Sequence, residues 1–583
     1  MLTSRFVSAL VALTLVGALG APALAGPLET QLSTLRDRHT RLETRLAQAK
    51  SRMLDVPVSR AEVDLTVGKM ALDTASLLIE MREDPKRVQE WLDKARDRLD
   101  ASYLGTSPSR GVEARGLFID MSSLPKTQEG IRELVERLSR ANFNMIIPEV
   151  FRRGYTLYPS RFTDKDPEFA KLGFDPFRTL VSEAHRAGIE VHPWIWTFRV
   201  KSPGFGDPVL SRLPALAARG PKTADPRFLS PGDPRAREWV FGLVDELTDR
   251  YDVDGLLLDY IRYDEETPDD WISQTSFGLD YYARHGAFPP SPLKPNSPAW
   301  VEYQLWREQQ VNLTVQTLAQ RLKLKNPNLQ LSVSTFRGER YGRLNKMQHW
   351  RHWSNNGWTD FVTSMLYTSK TSDLGTWLNW ETDNGTRTNL LYAILGPHRM
   401  DDPIPQTLEQ IEYLNQRQSP AVLFFALAHL KPGMLEALEA GPFRKPAMNP
   451  GRKLIPAARR VLAELDNSYL GQVQAAADPG TAASVAVVRG ELKKLQRSLP
   501  LTATPYYQNA ALLDRLEAIK ASARQMTQER VLSAPVGDEI AQRLDYAAVL
   551  VKANAQRLGA TRFVPTSPPP ASPMQPEAPE QRD

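Results

Sequence analysis

The sequence predicts an α/β protein whose central part is a (β/α)8 barrel of the TIM type, flanked by N-terminal and C-terminal α-helical regions. Within residues 111–445, eight short apolar runs rich in β-formers alternate with helical stretches, which is the pattern of βα units in a parallel sheet. Before and after this part, apolar residues recur at spacings of three and four, as in amphipathic helices. Of the 583 residues, 42% are apolar and 24% are charged, so we expect several packed units rather than wholesale disorder.

Residues 1–25 have the order that is typical of a secretory signal peptide. Arg5 precedes an apolar run at 6–19, and the small residues Ala23 and Ala25 suit cleavage after them. The run is shorter than the roughly 20 residues that span a bilayer, and no later run qualifies, so we expect no membrane span after signal removal. The chain contains no cysteine, which excludes disulfides, thiolate metal sites and a lipoprotein anchor. A secreted or periplasmic protein is therefore predicted.

Two helical regions flank the predicted barrel. Residues 26–110 are predicted to form a helical hairpin, with a break at Pro57 and a Ser-Glu capping box at 59–62 that opens the second helix. Further helices are predicted within 446–563, and the Pro-rich tail at 564–583 is expected to be disordered. Three uses of the helical regions stay open: capping the barrel, building a homo-oligomer, or binding an envelope partner.

The eight predicted strands follow one another at the intervals of βα units. In chain order, they are residues 115–120, 144–150, 190–196, 254–260, 329–336, 361–367, 389–396 and 421–427. Helices between them are predicted at 127–141, 176–187, 234–251 and 300–325. A closed barrel brings the carboxyl ends of all its strands to one mouth, and that mouth is where such barrels bind their ligands.

Carboxylates at the carboxyl ends of these strands are the candidate catalytic groups. Four take that position: Asp120, Glu149 and Asp259 at the ends of the first, second and fourth strands, and Glu339 after the fifth. Asp401 and Asp402 follow the seventh strand and rank lower. Asp254 and Asp360 begin their strands, where polar residues serve stability more often than catalysis.

Asp259 stands in the most informative segment, Y-D-V-D-G-L-L-L-D-Y-I-R-Y at 251–263. Three consecutive leucines bury the strand, and Asp259 then emerges beside Tyr260, Arg262 and Tyr263. A cation and phenols around a carboxylate hold it ionised as a nucleophile or stabiliser, or tune it as an acid. The alternative is that Asp259 pairs with Arg262 and only orders a loop.

Five segments of the predicted barrel occur in a specific order. They are A-R-G-L-F-I-D at 114–120, L-Y-P-S at 157–160, E-A-H-R-A-G-I-E-V-H-P-W-I-W at 183–196, L-S-P-G-D-P-R-A-R-E-W-V at 229–240 and the segment that ends with Asp259 and its neighbours. Together they resemble the glycosyl-hydrolase-like 10 family over about residues 113–430. The resemblance implies a TIM-type barrel that acts on glycosidic bonds, with Asp259 as the leading catalytic carboxylate. It also implies an exported bacterial protein and, as substrates, amino-sugar glycans of the cell envelope.

The chain departs from the family pattern at two places. Many members have D-Y-F-Y-P after the fourth strand, whereas this chain has D-Y-I-R-Y at 259–263. The sixth strand ends S-M-L-Y instead of the common P-Q-x-Y, which keeps Tyr367 but loses the amide. The fourth strand also resembles the chitinase motif D-G-x-D-x-D-x-E, but Leu257 and Ile261 replace its middle Asp and its Glu. A substrate-assisted chitinase mechanism is therefore disfavoured.

Glycoside hydrolysis usually needs a second carboxylate, about 5–5.5 Å away for retention or about 6.5–9.5 Å for inversion. Glu149, which is followed by Arg152 and Arg153, is one candidate, and Glu339 in the loop F-R-G-E-R-Y is the other. The alternative for each is that it binds substrate hydroxyls or orders a loop.

Aromatic and polar residues near the strand ends are the candidate substrate-binding groups. Eleven of the 12 Trp residues lie within 113–446, and aromatic rings stack on the apolar faces of sugars. The predicted binding residues are Asp120, Tyr155, His192, Trp194, Trp196, Arg262, Tyr263 and Tyr367. Ordinary packing is the alternative for each Trp, and a position inside the barrel is the alternative for His192.

No cofactor or metal is predicted, because no metal-ligand spacing occurs in the sequence. The net charge of +5 comes from scattered Lys and Arg, so nucleic acid is not expected as a partner. Two functions remain open. The first is an exported glycoside hydrolase that cleaves an envelope or extracellular polysaccharide by carboxylate acid/base or nucleophilic catalysis. The second is a non-catalytic glycan-binding or envelope-organising protein with a hydrolase-like barrel.

Overall fold

The structure is a computed structural model, and it describes residues 26–265, 267, 270–382, 390–499 and 506–560. The predicted signal peptide at 1–25 and the Pro-rich tail at 564–583 lie outside the described residues. No helix in these ranges is long and apolar enough to cross a lipid bilayer.

The described chain forms two compact units. The first holds the residues up to Gln48 together with Pro57–Thr106, and the second holds Ala49–Val56 and the residues from Ser107 onward. Each unit has its own apolar core.

The first unit is built on three helices: Pro27–Ser51, Val58–Glu80 and Pro85–Gly105. Small residues let the second and third helices approach closely, since Gly105 lies against Ala61 and the Ser102 hydroxyl donates to the Ala61 carbonyl at 2.9 Å. The predicted hairpin at 26–110 therefore contains one helix more than the sequence indicated.

The starts of the second and third helices explain this difference. Pro57 occupies the cap position of the second helix without a side-chain hydrogen bond, so the capping box predicted at 59–62 is wrong. The third helix begins at Pro85, where Asp84 accepts a hydrogen bond from the Lys86 N–H. Asp followed by Pro is a strong signal for the start of a helix. The pair Asp84-Pro85 therefore begins a new helix where apolar periodicity alone predicts that the second helix continues.

The second unit contains a closed parallel barrel of eight strands. They are Ala114–Ile119, Met145–Arg152, a split third strand made of Glu190–Val191 and Trp194–Trp196, Gly255–Asp259, Gln330–Thr335, Phe361–Met365, Leu391–Leu395 and Ala421–Phe424. The first strand pairs with both the second and the eighth, which closes the sheet. The predicted TIM-type fold class with helical flanks is therefore confirmed.

Helices cover the outside of the barrel between these strands. The longer ones are Gln128–Arg140, Pro176–Arg186, Pro234–Arg250, Trp271–His285, Pro298–Lys325, Glu339–Lys346, Trp350–Asn355, Thr371–Thr382, Pro403–Gln416 and Met434–Ala440. Several begin at a side chain that accepts a hydrogen bond from an N–H of the first turn, as Thr127, Asp175, Asp233 and Ser297 do. These caps fix where each connection ends and where each helix packs.

Alternate residues of each strand point into the barrel. Phe118, Ile147, Trp194 and Leu257 belong to one buried apolar cluster inside it. Successive side chains of a strand alternate between its two faces, so the inward residues two positions further along each strand reach the carboxyl-end mouth. Asp259, two residues after Leu257, reaches the mouth in this way.

The C-terminal helices cover the opposite end of the barrel. They are Leu454–Ala463, Gly471–Ala476, Pro479–Ser498, Tyr506–Gln528 and Ala534–Ala560, and a π-helical segment at Glu464–Leu470 joins the first two. The Tyr546 hydroxyl donates to the Val112 carbonyl at 3.0 Å, and Arg557 donates to the Asp360 carbonyl at 2.8 Å. Their apolar residues continue the cluster that fills the barrel interior.

Candidate active site

Asp259 ends the fourth strand and lies half-buried at the mouth. Its Oδ2 accepts a hydrogen bond from the Trp194 indole Nε1 at 3.1 Å, and its Oδ1 accepts one from the Tyr260 N–H at 2.7 Å. Burial raises the pKa of Asp259, and the Tyr260 N–H and the Arg262 guanidinium act against that rise. Arg262 forms its ion pair with Glu265 at 2.8 Å, not with Asp259. The simple loop-ordering pair that the sequence left open is therefore not formed.

Glu149 lies on the second strand and is 2% exposed. Its Oε2 accepts a hydrogen bond from the Met121 N–H at 3.0 Å and lies 3.2 Å from the Arg152 guanidinium. Burial raises the pKa of Glu149 to about 7, although Arg152 and the Met121 N–H act against the rise; the neighbouring Asp120 adds to it. A carboxyl group with such a pKa is half protonated near neutral pH, which is the state that a general acid needs.

Trp194 lies on the strand between the two carboxylates. On the third strand, Trp194 is in register with Glu149 of the second strand, and Trp196 is in register with Asp259 of the fourth. The Trp194 indole then reaches across to donate its N–H to Asp259. Glu149 and Asp259 therefore lie on either side of one tryptophan-bearing strand.

Glu339 takes part in a different network. It is the first residue of the helix Glu339–Lys346, and its Oε1 lies 3.7 Å from the His349 Nε2. The other nitrogen of His349 contacts Glu308 at 2.8 Å. The contacts of Glu339 thus lie with the helices outside the barrel, whereas those of Glu149 lie at the mouth.

An aromatic floor lies beneath Asp259, and we define it as Phe118, Trp194, Tyr367 and Phe425. The Trp194 ring centroid is 5.5 Å from that of Phe118 and 5.8 Å from that of Phe425, and Tyr367 lies 5.4 Å from Phe425. Burial and the charge of Asp259 raise the pKa of Tyr367, so its hydroxyl stays protonated. Phe118 and Trp194 are buried, whereas Tyr367 and Phe425 are partly exposed, and exposed rings of this kind suit the apolar face of a sugar.

Trp196 and Tyr260 form one side of the mouth. Their ring centroids are 4.8 Å apart, and the buried Nε1 of Trp196 has no hydrogen-bond partner among the described residues. Tyr260 has a φ of 49°, a left-handed conformation that a residue other than Gly adopts at a cost. The Arg262 guanidinium lies 5.1 Å from the Tyr260 ring.

Of the other predicted substrate-binding residues, some lie at the mouth and some lie away from it. Asp120 lies at the mouth beside Glu149, where it accepts a hydrogen bond from the Ser123 hydroxyl at 3.0 Å. Tyr263 is buried in the loop after the fourth strand, and its hydroxyl accepts a hydrogen bond from Ser273 at 3.2 Å. Tyr155 lies on a short antiparallel strand, Tyr155–Thr156, against Gly206.

His192 lies at the opposite end of the barrel from Asp259. It is fully buried against Gly255, which begins the fourth strand, and its Nε2 contacts Glu190 at 3.2 Å. The third strand holds His192 at its amino end and Trp196 at its carboxyl end, so one strand contributes to both ends of the barrel. The structure does not bring His192 to the site.

Sequence reasoning missed several residues that the structure places near the mouth. Phe118 and Phe425 come from the ends of the first and eighth strands, and Arg199 follows the third strand and donates to the Tyr260 hydroxyl at 3.0 Å. The strand-end rule, by which residues at the carboxyl ends of the strands reach the mouth, applies to aromatic and basic residues as well as to carboxylates. The sequence could therefore have indicated these three residues. Among the described residues, no group of three or more His, Asp or Glu is placed to hold a metal ion.

Glu381, another buried carboxyl group, had no sequence signal because it lies within a helical stretch. It is 4% exposed and accepts hydrogen bonds from the Ser364 hydroxyl and the Gly338 N–H, both at 2.8 Å. Burial raises the pKa of Glu381 to about 7. One of these contacts is on the sixth strand and the other is in the loop after the fifth strand, and neither is with Glu149 or Asp259.

Residues 113–392 match the model of the family described as Glycosyl hydrolase-like 10. This confirms the resemblance inferred from the sequence motifs, and the matched range contains Glu149, Trp194, Asp259 and Tyr367. The segment covers 280 of the 583 residues of the chain.

Two named relatives share part of the chain. The glycosyl hydrolase DigH of Escherichia coli (strain K12) is 24% identical over 274 residues, which are 41% of this chain and 58% of DigH. The glycosyl hydrolase YngK of Bacillus subtilis (strain 168) is 22% identical over 384 residues, which are 57% of this chain and 69% of YngK. The chain thus spans little more than half the length of DigH. Among solved structures, a cold-adapted β-galactosidase from Rahnella sp. R3 has a TM-score of 0.43 and 15% identity, covering 57% of this chain and 56% of that one.

Proposed function

We propose that this chain, whose residues 113–392 form a glycosyl hydrolase-like 10 region, is an exported glycoside hydrolase that cleaves an amino-sugar polysaccharide of the envelope or the extracellular space. The observation that carries the proposal is the pair Glu149 and Asp259, set on either side of Trp194 at the barrel mouth. The signal-peptide pattern supports export, and the family resemblance supports the amino-sugar substrate class.

The proposal gives the two carboxylates different roles. Glu149, with a pKa of about 7, donates a proton to the leaving glycosidic oxygen. Asp259 accepts two N–H hydrogen bonds, which favour its ionised form, and acts as nucleophile or as the base that activates water. Tyr367 and Phe425, the partly exposed rings of the aromatic floor, stack against the apolar face of the sugar.

A specific observation favours the second candidate, a non-catalytic glycan-binding protein. The Glu149 carboxyl is 2% exposed and already contacts the Met121 N–H and Arg152. A carboxyl group with these contacts also fits a structural role, in which case the mouth binds a glycan without cleaving it.

Release of reducing ends from amino-sugar polysaccharides, including peptide-free peptidoglycan strands, tests the proposal. The protein without residues 1–25 is compared with Asp259→Asn and with Asp514→Asn, an exposed Asp on the helix Tyr506–Gln528, as the matched control. We expect hydrolysis by the parent protein and the control, and a loss of at least about a hundredfold in Asp259→Asn. Glycan binding without release by the parent protein would favour the second candidate.

A further inference from the structure

Two arginines beside the mouth, Arg153 and Arg199, form no ion pair with any carboxylate of the described residues. Within the described part of the chain, no carboxylate oxygen lies within 4.0 Å of a guanidinium nitrogen of Arg153 or Arg199, whereas Arg152 and Arg262 each form such a pair. Half-buried cations without a counter-ion are costly unless a ligand supplies the negative charge.

Aromatic rings, rather than carboxylates, hold the two guanidinium groups in place. The Arg153 guanidinium carbon lies 3.6 Å from the ring centroid of Phe205. That of Arg199 lies 5.2 Å from the Trp196 ring and 4.9 Å from the Tyr260 ring. Stacking fixes the plane of a guanidinium. Arg199 donates from Nη1 to the Tyr260 hydroxyl at 3.0 Å and from Nε to the Lys201 carbonyl at 3.5 Å, so its Nη2 and the two terminal nitrogens of Arg153 are the groups left for a carboxylate.

The backbone brings these two arginines together. Gly154 has a φ of 85°, and a Cβ at this position would lie 2.6 Å from the Val200 carbonyl oxygen. Only glycine therefore lets the turn after the second strand pack against the loop after the third, which places Arg153 near Arg199. Arg153 itself has a φ of 53°, so a left-handed conformation is maintained at this turn.

The positive charge of this pair acts on both candidate catalytic groups. Arg199 lowers the pKa of Asp259, and Arg153 lowers the pKa of Glu149, in both cases against the larger effect of burial. Burial, and then the neighbouring Arg152 and Arg199 charges, lower the pKa of Arg153. The pair thus lies within electrostatic reach of both carboxylates.

We infer that Arg153 and Arg199 form a carboxylate-binding subsite at the mouth, and that the glycan bound there carries an acidic sugar next to the bond that is cleaved. The inference rests on the proposed function and names its substrate class. The carboxylate belongs either to an acidic ether substituent, as on muramic acid, or to a hexuronic acid, and both present the same planar anion to the two guanidinium edges.

Binding of matched oligosaccharides to the Asp259→Asn protein, measured by calorimetry, tests the subsite without turnover. The probes are peptide-free peptidoglycan oligosaccharides and hyaluronan oligosaccharides, each compared with the same compound after reduction of its carboxyl groups to alcohols. We expect at least one acidic probe to bind at least about tenfold more tightly than its reduced form, and the preferred probe identifies the source of the carboxylate. Added salt should weaken this preference.

Substitution of the arginines locates the effect. Arg199→Gln and, independently, Arg153→Gln should each remove most of the preference for the acidic form while leaving the affinity for the reduced form within about twofold. Arg212→Gln is the matched control, since Arg212 is exposed and pairs with Asp164 at 2.6 Å. Equal affinity for acidic and reduced probes, or a preference that survives both arginine substitutions, would overturn the inference. Hydrolysis of an uncharged polysaccharide without any acidic preference would leave the proposed function standing and remove only this subsite.

Discussion

Glu149 and Asp259 are both carboxylates withdrawn from water, and burial raises the pKa of each. They differ in their donors and exposure. Glu149 is almost fully buried and accepts one N–H hydrogen bond, whereas Asp259 stays half-buried and accepts two. Carboxylates in unlike environments can take unlike roles, and in the proposed function Glu149 is the acid and Asp259 is its partner.

The pKa of Glu149 makes the free energy of unfolding depend on pH. Its pKa is about 7 in the folded protein and 4.5 when unperturbed, so the folded state binds the proton more tightly between these values. The stability that this provides is complete below about pH 4.5 and is lost as the pH rises to about 7. Urea denaturation should therefore show the parent protein losing about 3 kcal/mol over this interval relative to Glu149→Gln.

Glu381 provides the internal control for this measurement. It has a similar pKa of about 7 and remains in both proteins, so its contribution cancels in the difference. An identical pH dependence of the two proteins would show that Glu149 ionises normally in the folded state.

At the residue scale, the strand-end rule found Asp259, Glu149 and Trp194 because each follows directly from a local apolar pattern. The same rule could not rank Glu149 above Glu339, since their burial and partners are set by elements distant in sequence. His192 was misplaced for a related reason: a strand reaches both ends of the barrel, and only the register shows which end each residue occupies.

At the scale of elements, all eight strands were predicted within a few residues, because buried parallel strands are short, apolar and well bounded. The pairing of the turn at Gly154 with the loop at Val200 was not predictable, since it depends on how two connections meet in space. The three-helix first unit was also missed, because two helices with similar periodicity are separated by only four residues.

A buried cation, Arg115, anchors the first strand, and substitution of Arg115 should destabilise the barrel. Arg115 is fully buried, with its Nε 2.9 Å from Glu113 and its other nitrogens donating to the carbonyls of Lys445 and Arg110. Arg115→Met leaves the buried Glu113 with only the Arg110 guanidinium, 4.0 Å away, so urea denaturation should show a loss of about 3–5 kcal/mol in the free energy of unfolding.

An exposed ion pair gives the control for this substitution. Lys494 pairs with Glu491 at 2.7 Å on a helix surface, and Lys494→Met should change the free energy of unfolding by less than about 1 kcal/mol. A loss from Arg115→Met no larger than that of this control would mean that Arg115 does not anchor the strand.

At the scale of the whole molecule, the C-terminal helices and the barrel share one apolar cluster. The sequence left three uses of the helical regions open, and the structure shows that the C-terminal helices cover the amino end of the barrel. Amphipathic periodicity predicts that a helix has an apolar face but not which surface covers that face, so this placement was beyond sequence reasoning.

This shared core predicts coupled unfolding. Leu544 lies in the last helix and is 1% exposed, and Leu544→Ala should lower the free energy of unfolding by about 2–5 kcal/mol. The helices after residue 446 contain no Trp, so Trp fluorescence in a Trp91→Phe background reports on the barrel alone. We expect the fluorescence transition to move to lower urea, whereas Leu324→Ala, at a residue 87% exposed, should leave it in place. A transition that Leu544→Ala does not move would mean that the barrel unfolds independently.

The dependence of the rate on the leaving group shows whether Glu149 supplies the proton for cleavage beside Asp259. We would measure kcat/KM of Glu149→Gln and of the parent protein on an amino-sugar oligosaccharide and on the matching nitrophenyl glycoside, whose leaving group needs no proton. We expect Glu149→Gln to lose at least about a hundredfold in kcat/KM on the oligosaccharide and less than about tenfold on the nitrophenyl glycoside. Equal losses on the two substrates, or none on either, would contradict this role of Glu149.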